Sequence, residues 1–76
     1  MGTPQLEEEL MKLVINGNAT DSNDGLTVTS LLESLEIDPG RVAVEVNLKI
    51  IKRCDFGEQK LNEGDSVEIV NFVGGG

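Results

Sequence analysis

Hydrophobic and polar residues alternate along three parts of the chain, and alternation with a period of two predicts strands that bury one face. The buried positions belong to residues 11–16, 42–46 and 66–73. The side chains predicted to face the core are Met11, Leu13, Ile15, Val42, Val44, Val46, Val67 and Ile69. Asn16-Gly17 is a strong turn signal, so a hairpin into a weaker second strand around residues 18–22 is expected.

A different period follows this hairpin. Apolar residues recur there at positions i, i+3, i+4 and i+7, which predicts one apolar stripe on a helix of about ten residues. The stripe consists of Val28, Leu31, Leu32 and Leu35. Thr27 is a favourable N-cap, and Asp38-Pro39-Gly40 is expected to end the helix.

The second half of the chain predicts short strands joined by turns. Asn47-Leu48-Lys49 should turn into a short strand at Ile50-Ile51, residues 52–60 form a polar connection, and Leu61 returns to the core. Residues 62–65 form the turn before the last strand. The order β-β-α-β-β-β predicts an α+β fold, a mixed sheet with one helix packed across it and the final strand near its centre. This order fits the ubiquitin-like β-grasp fold.

Composition limits the remaining possibilities. The 76 residues suffice for one small domain, whose core must be aliphatic because the chain has two Phe and neither Trp nor Tyr. No apolar run approaches the roughly 20 residues of a membrane span. A single cysteine, Cys54, indicates a reducing, cytoplasmic location. The net charge of −8 argues against nucleic acid and favours partners with basic surfaces, although solubility alone would also explain it.

The two ends of the chain differ from the part between them. Residues 1–10 show no strand pattern and are predicted to be a disordered leader or an added extension, so the domain is assigned to residues 11–76. The last strand runs directly into Gly74, Gly75 and Gly76. Three extended glycines reach about 10 Å and carry no side chains, which suits a flexible tail that enters the active site of another protein.

Several of these segments together resemble one family. Met11-Lys12-Leu13-Val14-Ile15-Asn16-Gly17, the helix from residue 27 to 35, Val44-Glu45-Val46-Asn47 with Ile50-Ile51, and Gly64-Asp65-Ser66-Val67-Glu68-Ile69-Val70 before the glycines resemble the ThiS family of sulfur carriers in thiazole (thiamin) biosynthesis. The resemblance covers residues 11–76. Lys52 stands where a proline often follows the paired isoleucines in that family.

The resemblance implies a carrier protein and not an enzyme. The carboxylate of Gly76 would be adenylated by a ThiF-like enzyme that uses ATP, and then converted to a thiocarboxylate. The sulfur would pass to a ThiG-like thiazole synthase. Gly75 and Gly74 would thread the partner's active site, and the chain itself would bind no cofactor.

Other positions offer a docking surface at most. Val70 and Phe72 should lie on the outward face of the last strand beside Glu68, where they form a candidate docking patch. With no histidine in the chain, Cys54 is interpreted as a spectator thiol. Glu33, Glu36 and Asp38 are interpreted as a solvated surface, and no metal site is expected.

Three alternatives remain open at this point. The chain could be a sulfur carrier for molybdopterin or another pathway, with the same fold and the same Gly-Gly end. It could be a ubiquitin-like modifier that forms isopeptide bonds with lysines of target proteins. It could also be a β-grasp interaction module with an inert tail.

Overall fold

The computed structural model describes residues 10–72. Within this range it contains one α-helix, five strands and two 3₁₀ turns. The strands are β1 (Leu10–Ile15), β2 (Asn18–Asn23), β3 (Val42–Val46), β4 (Lys49–Ile51) and β5 (Ser66–Asn71), the helix is α1 (Val28–Ser34), and the 3₁₀ turns span Pro39–Arg41 and Arg53–Asp55. The predicted order of strands and helix is confirmed. The predicted tail at Gly74, Gly75 and Gly76 lies outside the described residues.

The five strands form one mixed sheet in the order β2-β1-β5-β3-β4. β1 and β5 run parallel, and the other neighbouring strands run antiparallel. β5 is therefore the central strand, as predicted, and it is paired on both sides. β5 ends at Asn71, although the pattern predicted a strand over residues 66–73.

One face of the sheet carries the core. Alternate residues of β1, β3 and β5 project into it, and α1 covers them. The buried strand residues are Met11, Leu13, Ile15, Val42, Val44, Val46 and Val67, and Ile69 is partly buried against them. These are the positions that the alternation predicted. We call the opposite face of the sheet the outer face.

Two tight hairpins set the register of the sheet. Asn16 and Gly17 have φ angles of 49° and 84°, so this two-residue connection is of type I′, and Ile15 pairs with Asn18 across it. Asn47 and Leu48 also have positive φ angles, 54° and 72°. That conformation is rare for leucine, and it leaves Leu48 89% exposed at the tip of the β3–β4 hairpin.

The start of α1 agrees with the sequence and its end does not. The Oγ1 atom of Thr27 accepts a hydrogen bond of 3.1 Å from the Ser30 amide, which confirms the predicted N-cap. The helix then stops at Ser34 after seven residues. The predicted length of about ten residues is wrong, as is the prediction that Asp38-Pro39-Gly40 ends the helix.

The early end of α1 is a Schellman motif. Glu36 adopts a φ of 61°, its amide donates to the carbonyl of Glu33 at 3.0 Å, and the amide of Ile37 donates to the carbonyl of Leu32 at 2.9 Å. Glycine usually takes this left-handed position, and glutamate gave no signal for it. Leu35 consequently lies at the C-cap and is 43% exposed. Its prediction as the last residue of the apolar helical stripe is wrong.

The segment 52–60 contributes to the core, although its composition predicted only a polar connection. The turn at Arg53–Asp55 directs Phe56 inward, where it is 3% exposed. The carbonyl of Phe56 accepts a hydrogen bond of 3.1 Å from the amide of Thr29, which ties the segment to the start of α1. Leu61 is 1% exposed, so its predicted place in the core is confirmed.

β1 begins one residue earlier than the predicted strand. Leu10, which the pattern assigned to the leader, pairs with Asn23 at the start of β1. Residues 1–9 lie outside the described range, so the leader remains a prediction.

Candidate docking face

β5 is the element that leads to the C-terminal end, and its side chains alternate between two environments. Val67 is fully buried and Ile69 is partly buried on the inner face. Glu68 and Val70 project from the outer face, and Val70 and Phe72 are each 55% exposed. The exposure expected for Val70 and Phe72 is therefore present.

The end of β5 is held from both sides. On the β1 side, the amide of Ile69 donates to Oδ1 of Asn16 at 2.7 Å, and Nδ2 of Asn16 donates to the carbonyl of Ile69 at 3.3 Å. The Asn16 side chain thus continues the hydrogen-bond ladder after its own backbone has turned away. On the β3 side, the amide of Phe72 donates to the carbonyl of Arg41 at 2.9 Å. The backbone is paired as far as Phe72.

Side chains also hold the start of β5. The amide of Ser66 donates to Oδ1 of Asn47 at 2.9 Å, and Nδ2 of Asn47 donates to Oδ1 of Asp65 at 3.0 Å. The other carboxylate oxygen of Asp65 accepts from the amide of Asn62 at 2.9 Å, which closes the preceding turn. The β3–β4 hairpin and the β5 turn therefore support each other. The sequence marked Asn16 and Asn47 only as turn residues.

The strand registers place charged and apolar side chains next to one another on the outer face. Glu45 of β3 lies directly opposite Glu68 of β5 on one side and Ile50 of β4 on the other. Ala43 lies opposite Val70 in the neighbouring row. Ile50 is 75% exposed. Sequence reasoning counted Ile50 only as part of a short strand and did not single out Glu45.

The other candidate residues lie at the surface of the described range. Cys54 is exposed, and its thiol donates a long hydrogen bond of 3.9 Å to Oδ1 of Asp55. Glu33, Glu36 and Asp38 are exposed, in agreement with a solvated surface. Residues 10–72 contain no group of three or more His, Cys, Asp or Glu side chains placed to hold a metal ion.

Residues 73–76 follow the last described residue. Four extended residues span at most about 14 Å. A protein that contacts Gly76 therefore lies within about 14 Å of Phe72. No helix within residues 10–72 is long and apolar enough to cross a membrane.

A mixed sheet in the order β2-β1-β5-β3-β4, covered on one face by a single helix, defines a ubiquitin-like β-grasp protein. A solved structure supports this class. The thiamine biosynthesis protein ThiS of Geobacter metallireducens superposes with a TM-score of 0.75 at 36% sequence identity, covering 87% of this chain and 100% of that one.

The ThiS family model matches residues 5–76, and the chain therefore belongs to the ThiS family. The match begins inside the segment that was predicted to be a leader. The sulfur carrier protein ThiS of Bacillus subtilis is 38% identical over 65 residues, which cover 84% of this chain and 98% of that protein.

Longer proteins also contain this sequence pattern. The thiazole synthase of Paramagnetospirillum magneticum is 46% identical over 66 residues, which cover 87% of this chain but 20% of that enzyme. The match to the thiazole synthase of Magnetococcus marinus also covers 87% of this chain and 20% of that enzyme. The chain thus spans about a fifth of the length of the thiazole synthases that it matches.

Proposed function

We propose that the chain is a sulfur carrier whose C-terminal glycine carries the sulfur as a thiocarboxylate for thiazole (thiamin) biosynthesis. The observation that carries this proposal is the family match, which extends through Gly76 and includes all three terminal glycines. Curated relatives named as sulfur carriers match over nearly their whole length, and others are thiazole synthases. The paired central strand supports the proposal because it holds the chain firmly up to Phe72.

The proposed chemistry needs two displacements at the carboxylate of Gly76. A carboxylate oxygen attacks the α-phosphorus of ATP and pyrophosphate leaves, which gives an acyl adenylate. A sulfur nucleophile then attacks the carbonyl carbon, and AMP departs with the oxygen. Hydrolysis would compete at this stage, so the activating site must close around the tail. Glycines at positions 74–76 fit a narrow channel because they lack side chains and adopt many backbone conformations.

The carrier contributes presentation and recognition to this reaction. A ThiF-like adenylating enzyme would bind the ATP, and the carrier would hold no cofactor of its own. A ThiG-like thiazole synthase would accept the sulfur. Val70 and Phe72 would dock onto these enzymes, since both are exposed where the chain leaves the sheet. The single, exposed cysteine is compatible with the reducing cytoplasm as the place of this reaction.

The direct test is the intact mass of the chain after incubation with an adenylating enzyme of the ThiF type, ATP and a sulfide source. Replacement of one oxygen by sulfur adds about 16 Da. We expect this gain for the wild-type chain and its loss when Gly75 and Gly76 are deleted.

Gly57→Ala is the matched control for substitutions in the tail. An added Cβ at Gly57 has only Thr29 Oγ1 near it, at 3.8 Å, so this variant should acquire sulfur normally. Gly75→Ala should acquire it much more slowly. High-mass conjugates with other proteins would indicate a modifier, and an unchanged mass would contradict the proposal. A thiazole requirement after gene deletion would assign the pathway, whereas a molybdoenzyme defect would assign a different one.

A further inference from the structure

On the outer face, two carboxylates lie side by side, and no cation within residues 10–72 pairs with either of them. Glu45 and Glu68 are direct cross-strand partners, a position in which Cβ atoms are about 4.5–5.5 Å apart. Within residues 10–72 the ion pairs are Lys12–Asp21 and Arg41–Asp38, and neither involves this pair. Like charges directly opposite each other destabilise a sheet. Nothing in the inner core requires these two residues to be acidic.

Exposed apolar side chains surround the two carboxylates. Ile50 flanks Glu45 on the β4 side and is 75% exposed. Val70 follows Glu68 on the same face of β5 and is 55% exposed. Exposed aliphatic residues around a small number of charges are typical of a surface that a protein partner covers. The arrangement fits an apolar partner surface with one basic side chain near its centre.

We propose that this outer face docks onto the activating enzyme, and that an arginine or lysine of the enzyme binds between Glu45 and Glu68 while apolar side chains cover Ile50 and Val70. This inference rests on the proposed function. It adds the chemistry of the contact and two residues, Glu45 and Ile50, that exposure of the last strand alone does not indicate.

Reach and charge together favour the activating enzyme as the occupant. Residues 73–76 span at most about 14 Å, so an enzyme that acts on Gly76 must approach the end of β5. An enzyme that binds the phosphates of ATP carries arginine or lysine side chains for that purpose, and its field attracts an acidic carrier. The chain has a net charge of −8.

A second copy of this chain does not fit the same face. A two-fold symmetric contact centred on this pair would bring Glu45 and Glu68 of one copy towards the same two residues of the other. Four carboxylates would then meet in one apolar interface without a cation, and such an arrangement is strongly unfavourable.

The test is the dissociation constant between the full 76-residue chain and a ThiF-type adenylating enzyme, measured by calorimetry without ATP. Glu45→Gln with Glu68→Gln should weaken binding by about tenfold or more and reduce its dependence on salt. Glu33→Gln with Glu58→Gln changes the net charge equally at exposed positions away from this face. This control should change binding by less than about twofold.

Apolar substitutions provide the second part of the test. Ile50→Ala should weaken binding by roughly fivefold to tenfold, in the range of a typical interface contact. Leu35→Ala removes a comparable exposed side chain at the end of α1 and should leave the dissociation constant unchanged. Far-UV circular dichroism and urea unfolding check that every variant remains folded.

Three outcomes would overturn the inference. The test and control variants could weaken binding to the adenylating enzyme equally, the Glu45/Glu68 variant could bind with wild-type affinity, or the wild-type chain could fail to bind. Weakening confined to a thiazole synthase measured in parallel would also overturn it, because the occupant would then be a different enzyme. The mass assay separates the two proposals. Variant-sensitive binding without a gain of about 16 Da rejects the sulfur-carrier function alone. Sulfur transfer with variant-insensitive binding rejects the docking inference alone.

Discussion

The two faces of the sheet are built from the same strands but have different neighbours. The inner face is aliphatic, and α1, Phe56 and Leu61 cover it. The outer face combines exposed apolar side chains with the opposed carboxylates of Glu45 and Glu68. Burial explains the composition of the inner face, since each residue there lowers the free energy of the folded state. It does not explain the outer face, for which we have proposed a role in docking.

The two phenylalanines give the largest expected difference between the faces. Phe56→Ala should lower the free energy of unfolding by about 3–5 kcal/mol, because it leaves a cavity in the core. Phe72→Ala should change it by less than about 0.5 kcal/mol, because the side chain is exposed and its backbone hydrogen bond remains. Urea denaturation followed by far-UV circular dichroism measures both.

If Phe56→Ala does not fold, Phe56→Leu provides the comparison, with an expected loss of about 1–2 kcal/mol. Similar losses at the two positions would show that Phe72 also belongs to the core.

Substitutions of the two valines of β5 should differ less in their effect on stability, and in the opposite order in their effect on function. Val67→Ala should cost roughly 2–3 kcal/mol, since it removes two buried methyl groups and leaves a small cavity. Val70→Ala should cost less than about 0.5 kcal/mol. In the adenylation assay the order reverses: Val70→Ala should raise KM for the carrier severalfold with kcat unchanged, whereas Val67→Ala, while folded, should not. A wild-type KM for Val70→Ala would argue against docking at this position.

The smallest expected effect is an increase in stability, whereas the substitutions above lower it. Glu68→Gln relieves the repulsion with Glu45 and should raise the free energy of unfolding by about 0.2–1 kcal/mol. The gain should shrink at high salt, where exposed charges are screened. Glu58→Gln reports the effect of net charge alone. A loss of stability in Glu68→Gln would mean that the carboxylate contributes to the fold and is not kept only for binding.

Much of the inner face could be predicted because its signals are local. The alternation at Met11, Leu13 and Ile15 needs no knowledge of the neighbouring strands, and Asn16-Gly17 specifies its own turn. Phe56 could not be found in this way, because it is a single apolar residue within a polar segment and its burial depends on the Arg53–Asp55 turn. The end of α1 was missed for a related reason, since Glu36 occupies a position where glycine would have been the usual signal.

The candidate site was only partly predictable. Alternation from Val67 was enough to predict the exposure of Val70. The opposition of Glu45 and Glu68 depends on the register between two strands that are distant in sequence, and no local pattern encodes that register. Ile50 was grouped with Ile51 because hydrophobicity alone does not separate the two faces of an edge strand. The roles of Gly74–Gly76 lie beyond residue 72 and remain predictions.

The parallel pairing of β1 and β5 has a mechanical consequence. β5 runs in the same direction as β1, so a force applied at Phe72 along β5 would act along both strands. Two hydrogen bonds between Asn16, which follows β1, and β5 lie across that direction. The amide of Asn16 donates to the carbonyl of Val67 at 2.8 Å, and the amide of Ile69 donates to Oδ1 of Asn16 at 2.7 Å. Such a force would load these bonds in shear, so that they share it instead of opening one after another. An enzyme that draws the tail into a narrow active site would thus pull on a strand that resists being peeled from the sheet.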